Sequence, residues 1–290
     1  MMSNDRKKMT VVIGSHFFKV LVKDQEEYSL ILRYTKEFTT VETDRDGIPV
    51  PTVYAVVNKI DNEFRFHINT YIGFINFLTN NGHTTNDYDV VILPFNYGVE
   101  TNIKMHDHLK PRAHQVPIID YFLTQTAKSG FYINQVLKQN FIGIQTGEGK
   151  TLTSSFCAVK LGKRILICVR PLFMKKWAED IFEIFKVKKS ETLSVQGSDQ
   201  LKGLLSIAKA KEFEKVKVIL VSLPTVRNWF KAYETLGSAA CKESGYDCDP
   251  DQFYEHLGVG LRLIDEVHID FHFNFIHDLY TNVNKGISLS

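Results

Sequence analysis

Phe141-Ile-Gly-Ile-Gln-Thr-Gly-Glu-Gly-Lys-Thr-Leu-Thr, residues 141–153, runs from an apolar strand pattern through a glycine-rich turn into a helical pattern. A loop in that setting can point successive backbone N–H groups at an anion. Gly147 and Gly149 allow the curl, and the helix that follows adds its positive end. Lys150 is then placed to reach terminal phosphates, and Thr151 to offer a hydroxyl to Mg²⁺. The general G-x4-G-K-T pattern has glycine where this chain has Ile144, while the core from Thr146 through Gly147, Glu148, Gly149 and Lys150 to Thr151 is intact. The plain alternative is a glycine turn opening a helix, with a chance Lys-Thr.

A second stretch, Leu261-Arg-Leu-Ile-Asp-Glu-Val-His, ends a short apolar strand in two adjacent carboxylates. Asp265 is placed to hold Mg²⁺ directly or through water, the role of a Walker-B aspartate. Glu266 can polarise the water that attacks a γ-phosphate. An aspartate at a strand end also caps helices. With both motifs at strand ends and several β-α units between them, the reading is an ATP–Mg²⁺ site.

The strands around these motifs decide the fold class. Residues 140–144, 164–169, 216–222 and 261–264 are continuous apolar runs alternating with helical patterns. Strands buried on both faces between helices indicate a parallel sheet in a doubly wound α/β domain, with its active loops at the strand C-terminal ends. The polar stretch 236–251 reads as a surface insertion. Upstream the pattern differs. Residues 10–22 read as one or two strands, 25–38 as a helix, 44–49 as a turn, 52–58 and 63–68 as paired strands, 70–78 as a helix and 89–94 as a strand. That order, β-α-β-β-α-β, predicts a small α+β domain over residues 1–105. Residues 95–108 read as a polar linker, and 106–290 as the nucleotide-binding domain.

Composition sets outer bounds. Hydrophobic residues make up 44% and charged residues 23% of the chain, ordinary for a globular protein. No apolar run approaches the roughly 20 residues that span a bilayer, and the basic N-terminus lacks the apolar core of a secretory signal. Cytoplasmic residence without membrane partners is the expectation. Residues 1–105 hold 11 basic and 13 acidic side chains against 24 and 20 in the remainder, a weak lean toward polyanion binding in the C-terminal part. Cys157 and Cys168 sit in apolar segments and read as core residues; Cys241 and Cys248 are too loosely spaced for a metal site.

At this point the residues resemble superfamily 2 helicases and translocases. The 146–151 loop is similar to that family's motif I, which carries Ala rather than Gly near the position of Ile144. Asp265-Glu-Val-His is similar to its DExH motif II. Leu109-Lys-Pro-Arg-Ala-His-Gln resembles the element in which a glutamine reads adenine, with His114 in place of an aromatic. The resemblance implies that Arg112 and Gln115 contact the nucleotide; a solvated glutamine at a helix start is the other reading. Ile165-Leu-Ile-Cys-Val-Arg-Pro-Leu-Phe-Met-Lys-Lys-Trp resembles motif Ia, implying a nucleic-acid backbone contact by Lys175, although a solvated basic face around Lys175, Lys176 and Trp177 suits the pattern equally. Val221-Ser-Leu-Pro-Thr-Val resembles the next motif, implying a phosphate contact by Thr225; a helix-capping role is the alternative. His268 would couple ATP state to strand tracking, or be a buried hydrogen-bonded histidine.

The N-terminal module is similar in arrangement to that of UvsW-type phage branch-migration helicases. The implied fold is thus a RecA-like P-loop domain with a parallel sheet, preceded by a small α+β module that helps engage duplex or branched DNA. The interval from Gln115 to Lys150 is long for that family and implies a longer helical connection. Residues 286–290 match the strand leading into motif III, with Ser290 its first residue. A second RecA-like domain with its arginine finger is expected in the same or another chain, and residues 1–290 alone are expected to bind ATP and hydrolyse it feebly. The leading expectation is an ATP-dependent DNA helicase or translocase in recombination, replication restart or repair. A restriction-type translocase subunit and a non-catalytic nucleotide-dependent binding module are the alternatives. P-loop kinases rank lower, since they do not need the Asp-Glu-x-His grouping.

Overall fold

The computed structural model describes residues 8–43, 47–145 and 147–290. The first elements are β1 (Met9–Ile13), β2 (Phe17–Leu21), α1 (Gln25–Thr35), β3 (Thr39–Thr43), β4 (Pro49–Val53), β5 (Val56–Asn58), β6 (Glu63–His67), α2 (Tyr71–Asn80) and β7 (Tyr88–Ile92). Five of the strands form a mixed sheet in the order β5-β6-β2-β1-β7, with only the β1–β7 pair parallel. The 10–22 segment is therefore a two-stranded hairpin. The stretch read as 52–58 is divided between β4 and β5, because β3 and β4 pair with each other as a separate ribbon. That ribbon is mostly exposed, so its sequence shows no buried/exposed alternation to mark it.

Alternation is clear in β2 and β6, and it explains why this sheet has two covered faces. Phe18, Val20, Phe64 and Phe66 pack with Leu30, Ile31 and Tyr34 of α1 and with Phe74 and Leu78 of α2. Asp24 caps α1 by accepting from the Glu26 and Glu27 N–H groups. The opposite face carries Lys19, Glu63 and Arg65, and Lys19 and Arg65 each pair both with Glu63 and with Asp251 of the other half of the chain.

That half contains α3 (Gln115–Thr124), β8 (Gln139–Ile142), α4 (Lys150–Leu161), β9 (Ile165–Val169), α5 (Met174–Ile184), β10 (Thr192–Val195), α6 (Ser198–Ile207), β11 (Val218–Ser222), α7 (Leu223–Glu243), the single turn α8 (Phe253–His256), β12 (Leu261–Ile264), α9 (Phe271–Asp278) and β13 (Lys285–Leu289). All six strands are parallel, in the order β10-β11-β9-β12-β13-β8. The fold class is the expected one, a RecA-like parallel sheet beside a small mixed α/β sheet. Ile165, Ile167 and Val169 point to the core shared with α3, α4 and α5, while Leu166 and Cys168 point to the core shared with α6, α7 and α9. Helices on both faces are what a sheet of continuous apolar strands requires.

Two expectations need correction, and a third gains detail. Residues 95–108 hold no helix or long strand, and this irregular segment is strapped to the sheet. The Val99 N–H donates to Gly258 O, the Arg164 N–H to Val99 O, and Ile103 and Met105 are buried. Residues 236–251 are not a surface insertion: Cys241, Tyr246 and Cys248 enter the core, and Tyr246 stacks on Trp229 at 5.2 Å. The interval between α3 and β8 is not helical but irregular, crossed by isolated bridges between Thr126 and Val136 and between Ala127 and Ile133. Lys285 anchors it by donating to Phe122 O and Leu137 O. All four cysteines are buried, and no helix among the described residues is long and apolar enough to cross a membrane.

Candidate nucleotide site

The β8–α4 turn and the end of β12 lie at the C-terminal edge of the parallel sheet, with β13 between their strands. Thr146 lies outside the described residues. Gly147 and Gly149 both adopt left-handed backbone, at φ 88° and 89°, where a side chain would be strained. Gly149 has a second reason to lack a side chain, since a Cβ there would stand 2.7 Å from Gln115 Nε2. Ile144, in place of the pattern's glycine, packs at the edge of the α4-side core, and its N–H reaches Ser290 O at 3.4 Å.

Gln115 begins α3 fully buried beneath this loop. Its amide donates to Gly149 O at 3.2 Å and accepts from the Arg112 N–H at 2.9 Å. The amide thus braces the loop, and the solvated-glutamine reading is excluded. His114 approaches Glu148 through both the backbone oxygen, at 3.3 Å, and the carboxylate, at 3.7 Å. Thr151, on the first turn of α4, accepts from the Ser154 and Ser155 hydroxyls through its backbone oxygen.

Across the turn, Lys150 Nζ lies 3.3 Å from Glu266 Oε1. Glu266 has φ 53°, ψ 47°, a left-handed backbone that a non-glycine residue adopts at an energetic cost. Its other carboxylate oxygen is 3.5 Å from His268 Nδ1, which also contacts Ser290 Oγ at 2.9 Å. His268 is more than half exposed, so the buried-histidine reading does not hold.

Asp265 is held from three sides. Its N–H donates to Cys168 O, its Oδ1 accepts from the Glu266 N–H at 3.0 Å, and its Oδ2 accepts from the Trp177 indole at 2.7 Å. Burial raises its carboxyl above the usual range; the Trp177 hydrogen bond pulls the other way. Trp177 is itself buried, not part of a solvated basic face, while Lys175 beside it is exposed. Its role against Asp265 has no local signature. Only its setting, one turn inside the helix that follows β9, hints at it.

The remaining candidates stand apart. Thr225, in the first turn of α7, is buried and its hydroxyl accepts from the Gly197 N–H at 2.7 Å. This ties the β10–α6 turn to the start of α7, whose own N-cap, Ser222, makes no side-chain capping bond. Among the described residues no group of three or more His, Cys, Asp and Glu side chains is placed to hold a metal alone.

No protein-family model matches the chain, and no curated protein sequence does. Among solved structures it is similar to the UvsW helicase from bacteriophage T4, at 13% identity over 98% of this chain and 92% of that one, with a TM-score of 0.48. It is also similar to the Pyrococcus furiosus Hef helicase domain, at 19% identity over 62% of this chain and 33% of that one, with a TM-score of 0.39. Likenesses this distant leave the functional reading to the geometry of the site.

Proposed function

We propose that this chain binds ATP–Mg²⁺ as part of a superfamily 2 nucleic-acid motor of DExH type, a cytoplasmic DNA helicase or translocase acting on branched intermediates in recombination, replication restart or repair. The observation that carries this reading is the convergence of Lys150, Asp265 and Glu266, from two loops more than a hundred residues apart, at one edge of the parallel sheet. Each has the chemistry its part needs. Lys150 opens α4, so its ammonium and the helix N-terminus act on the same phosphates. Glu266 is positioned to take the proton of an attacking water.

The donor set fits a divalent cation. Asp265 and Glu266 are consecutive carboxylates, with Asp265 destabilised as an anion by its burial, and Thr151 stands in the first turn of the facing helix. Bound there by Asp265 and Thr151, Mg²⁺ would neutralise charge on the transferring phosphate. Gln115 and Arg112 are proposed to border the adenine, and the brace Gln115 makes to Gly149 would then link base recognition to loop shape. On this reading residues 1–105 form an accessory module and 106–290 the ATP-binding domain. On the same reading His268 and Lys175 would lie toward the nucleic acid, buried Thr225 would act on it only through the Gly197 turn that it holds, and a second RecA-like lobe would complete the site.

Binding of a fluorescent ATP analogue with Mg²⁺ to the full chain tests the proposal. Saturable binding that Lys150→Ala abolishes without unfolding the protein is the expected result. Absence of Mg²⁺-dependent nucleotide binding by the unaltered chain would overturn it.

A further inference from the structure

A cleft of about 170 Å³ opens between the β4–β5 segment, α7 and α9, away from the nucleotide loop. Val53, Ala55 and Val56 form one wall, and Phe230, Phe273 and Ile276 form the other, while Val57 turns its side chain with Phe64 toward the α1/α2 core. α9 follows directly on the Glu266–His268 turn, so one of the two helices that line the cleft starts at the candidate motor site, while α7 starts at the end of β11 with Thr225 in its first turn.

The cleft has three kinds of recognition group. Its walls are apolar. Its rim carries the exposed cations Arg227 and Lys231, one turn apart on α7, with the Arg227 guanidinium 5.3 Å from the Phe273 ring centroid. Within it stands Glu234, half-buried, with one carboxylate oxygen accepting from the Tyr280 hydroxyl at 3.0 Å. A carboxylate inside an apolar slot under a cationic rim suits a ligand with a flat apolar body, an amino edge and a negative backbone. A nucleotide of a single strand has all three: a base whose exocyclic amine a glutamate accepts from, and phosphates for arginine and lysine.

We infer that this cleft is a subsite for one unpaired nucleotide of a single-stranded nucleic acid, its base inserted between the Val53 and Phe273 walls and its phosphates on Arg227 and Lys231. The inference rests on the nucleic-acid reading above, and it adds a contact by which the strand is gripped at α9, the helix attached to the Glu266–His268 turn.

Anisotropy of a fluorescein-labelled single-stranded oligonucleotide, titrated with the full chain at several salt concentrations, tests it. The variants are Val53→Trp, which fills the slot, and Arg227→Ala with Lys231→Ala, which strips the rim. Retained binding of the fluorescent ATP analogue controls for folding. Val53→Trp is expected to weaken binding about tenfold or more, the scale of one lost base contact. The double rim variant is expected to reduce the slope of log affinity against log salt by about 1.4, two phosphate contacts at about 0.7 each for a single strand. Strong binding that neither variant alters would overturn the subsite while leaving the motor reading intact. Failure of the unaltered chain to bind any oligonucleotide would overturn both. Equal loss toward a duplex competitor would replace the unpaired nucleotide by a backbone contact and sink the inference as stated.

Discussion

Lys150 and Glu266 form an ion pair at 3.3 Å, and with it the residue proposed to grip phosphate neutralises the residue proposed to activate water. Both side chains retain some solvent access, so the pair is worth about 0.2–1 kcal/mol. Nucleotide binding must break it, because Lys150 cannot serve a carboxylate and a γ-phosphate equally well. Glu266→Gln removes that competition. The variant is therefore expected to bind the ATP analogue as well as the unaltered chain or up to about fivefold more tightly, consistent with an ion pair of that size. In a motor completed by a second RecA-like lobe it should also lose turnover. Weaker nucleotide binding by Glu266→Gln would show that Glu266 holds the nucleotide rather than opposing it.

Trp177 and Asp265 offer a second measurement. The indole N–H is 2.7 Å from Asp265 Oδ2, and the chain's other tryptophan, Trp229, is fully buried against Tyr246 and Phe253. Tryptophan emission should therefore change when Mg²⁺–nucleotide reaches Asp265, and Trp177→Phe should abolish the change. Trp177→Phe keeps most of the packing and leaves Asp265 without one hydrogen bond. It is expected to shift the Mg²⁺ concentration needed for nucleotide binding by several-fold, on the scale of a charge-assisted hydrogen bond. An unchanged Mg²⁺ dependence would reduce Trp177 to a packing role.

How far such relationships are legible in the sequence depends on whether their signal is local. The strands β8, β9, β11 and β12 are legible because a sheet covered on both faces needs unbroken apolar runs, and Lys150 and Asp265 because their motifs sit at the ends of such runs. β10 is not, since its Thr-Leu-Ser-Val sequence is half polar and lies at the sheet edge. The Trp177–Asp265 bond joins residues 88 apart, and no spacing rule connects them. Gln115 is legible as a candidate, but its brace to Gly149 is not. Residues 236–251 mislead because Cys241, Tyr246 and Cys248 turn inward although they are scattered among polar residues, while Leu236, the largest aliphatic side chain of the stretch, is exposed. The ribbon β3–β4 carries no alternation because it buries neither face.

Asp251 joins the two halves of the chain. It lies 2.6 Å from Lys19 Nζ and 3.1 Å from Arg65 Nη2, and Arg65 is fully buried with its guanidinium 4.4 Å from the Tyr280 ring centroid. Burial alone would raise the Asp251 carboxyl, but Arg65 and Lys19 outweigh it and hold it at about 2. Asp251→Asn leaves Arg65 buried with less compensation. The expected loss is about 3–5 kcal/mol of unfolding free energy, measured by urea denaturation. A loss under about 1 kcal/mol would mean that Glu63 alone satisfies the guanidinium.

His16 and His277 make the junction sensitive to pH in the other direction from a usual salt bridge involving histidine. His16 is buried between Ser15 Oγ, 2.7 Å from Nδ1, and Gln139 Oε1, 3.1 Å from Nε2; His277 Nε2 is 2.6 Å from the Tyr254 hydroxyl. Burial, reinforced by the positive charge of Arg262, lowers both imidazoles from 6.5 to about 3, with Asp278 opposing only in part. Between those values the unfolded chain binds protons that the folded chain refuses. Their contribution is therefore complete above pH 6.5 and declines as pH falls toward 3. Urea midpoints should drop from pH 7.5 to pH 5, and His16→Gln should make that drop shallower, since one of the two refusing groups is gone. Identical pH slopes for His16→Gln and the unaltered chain would show that His16 accepts its proton in the folded state.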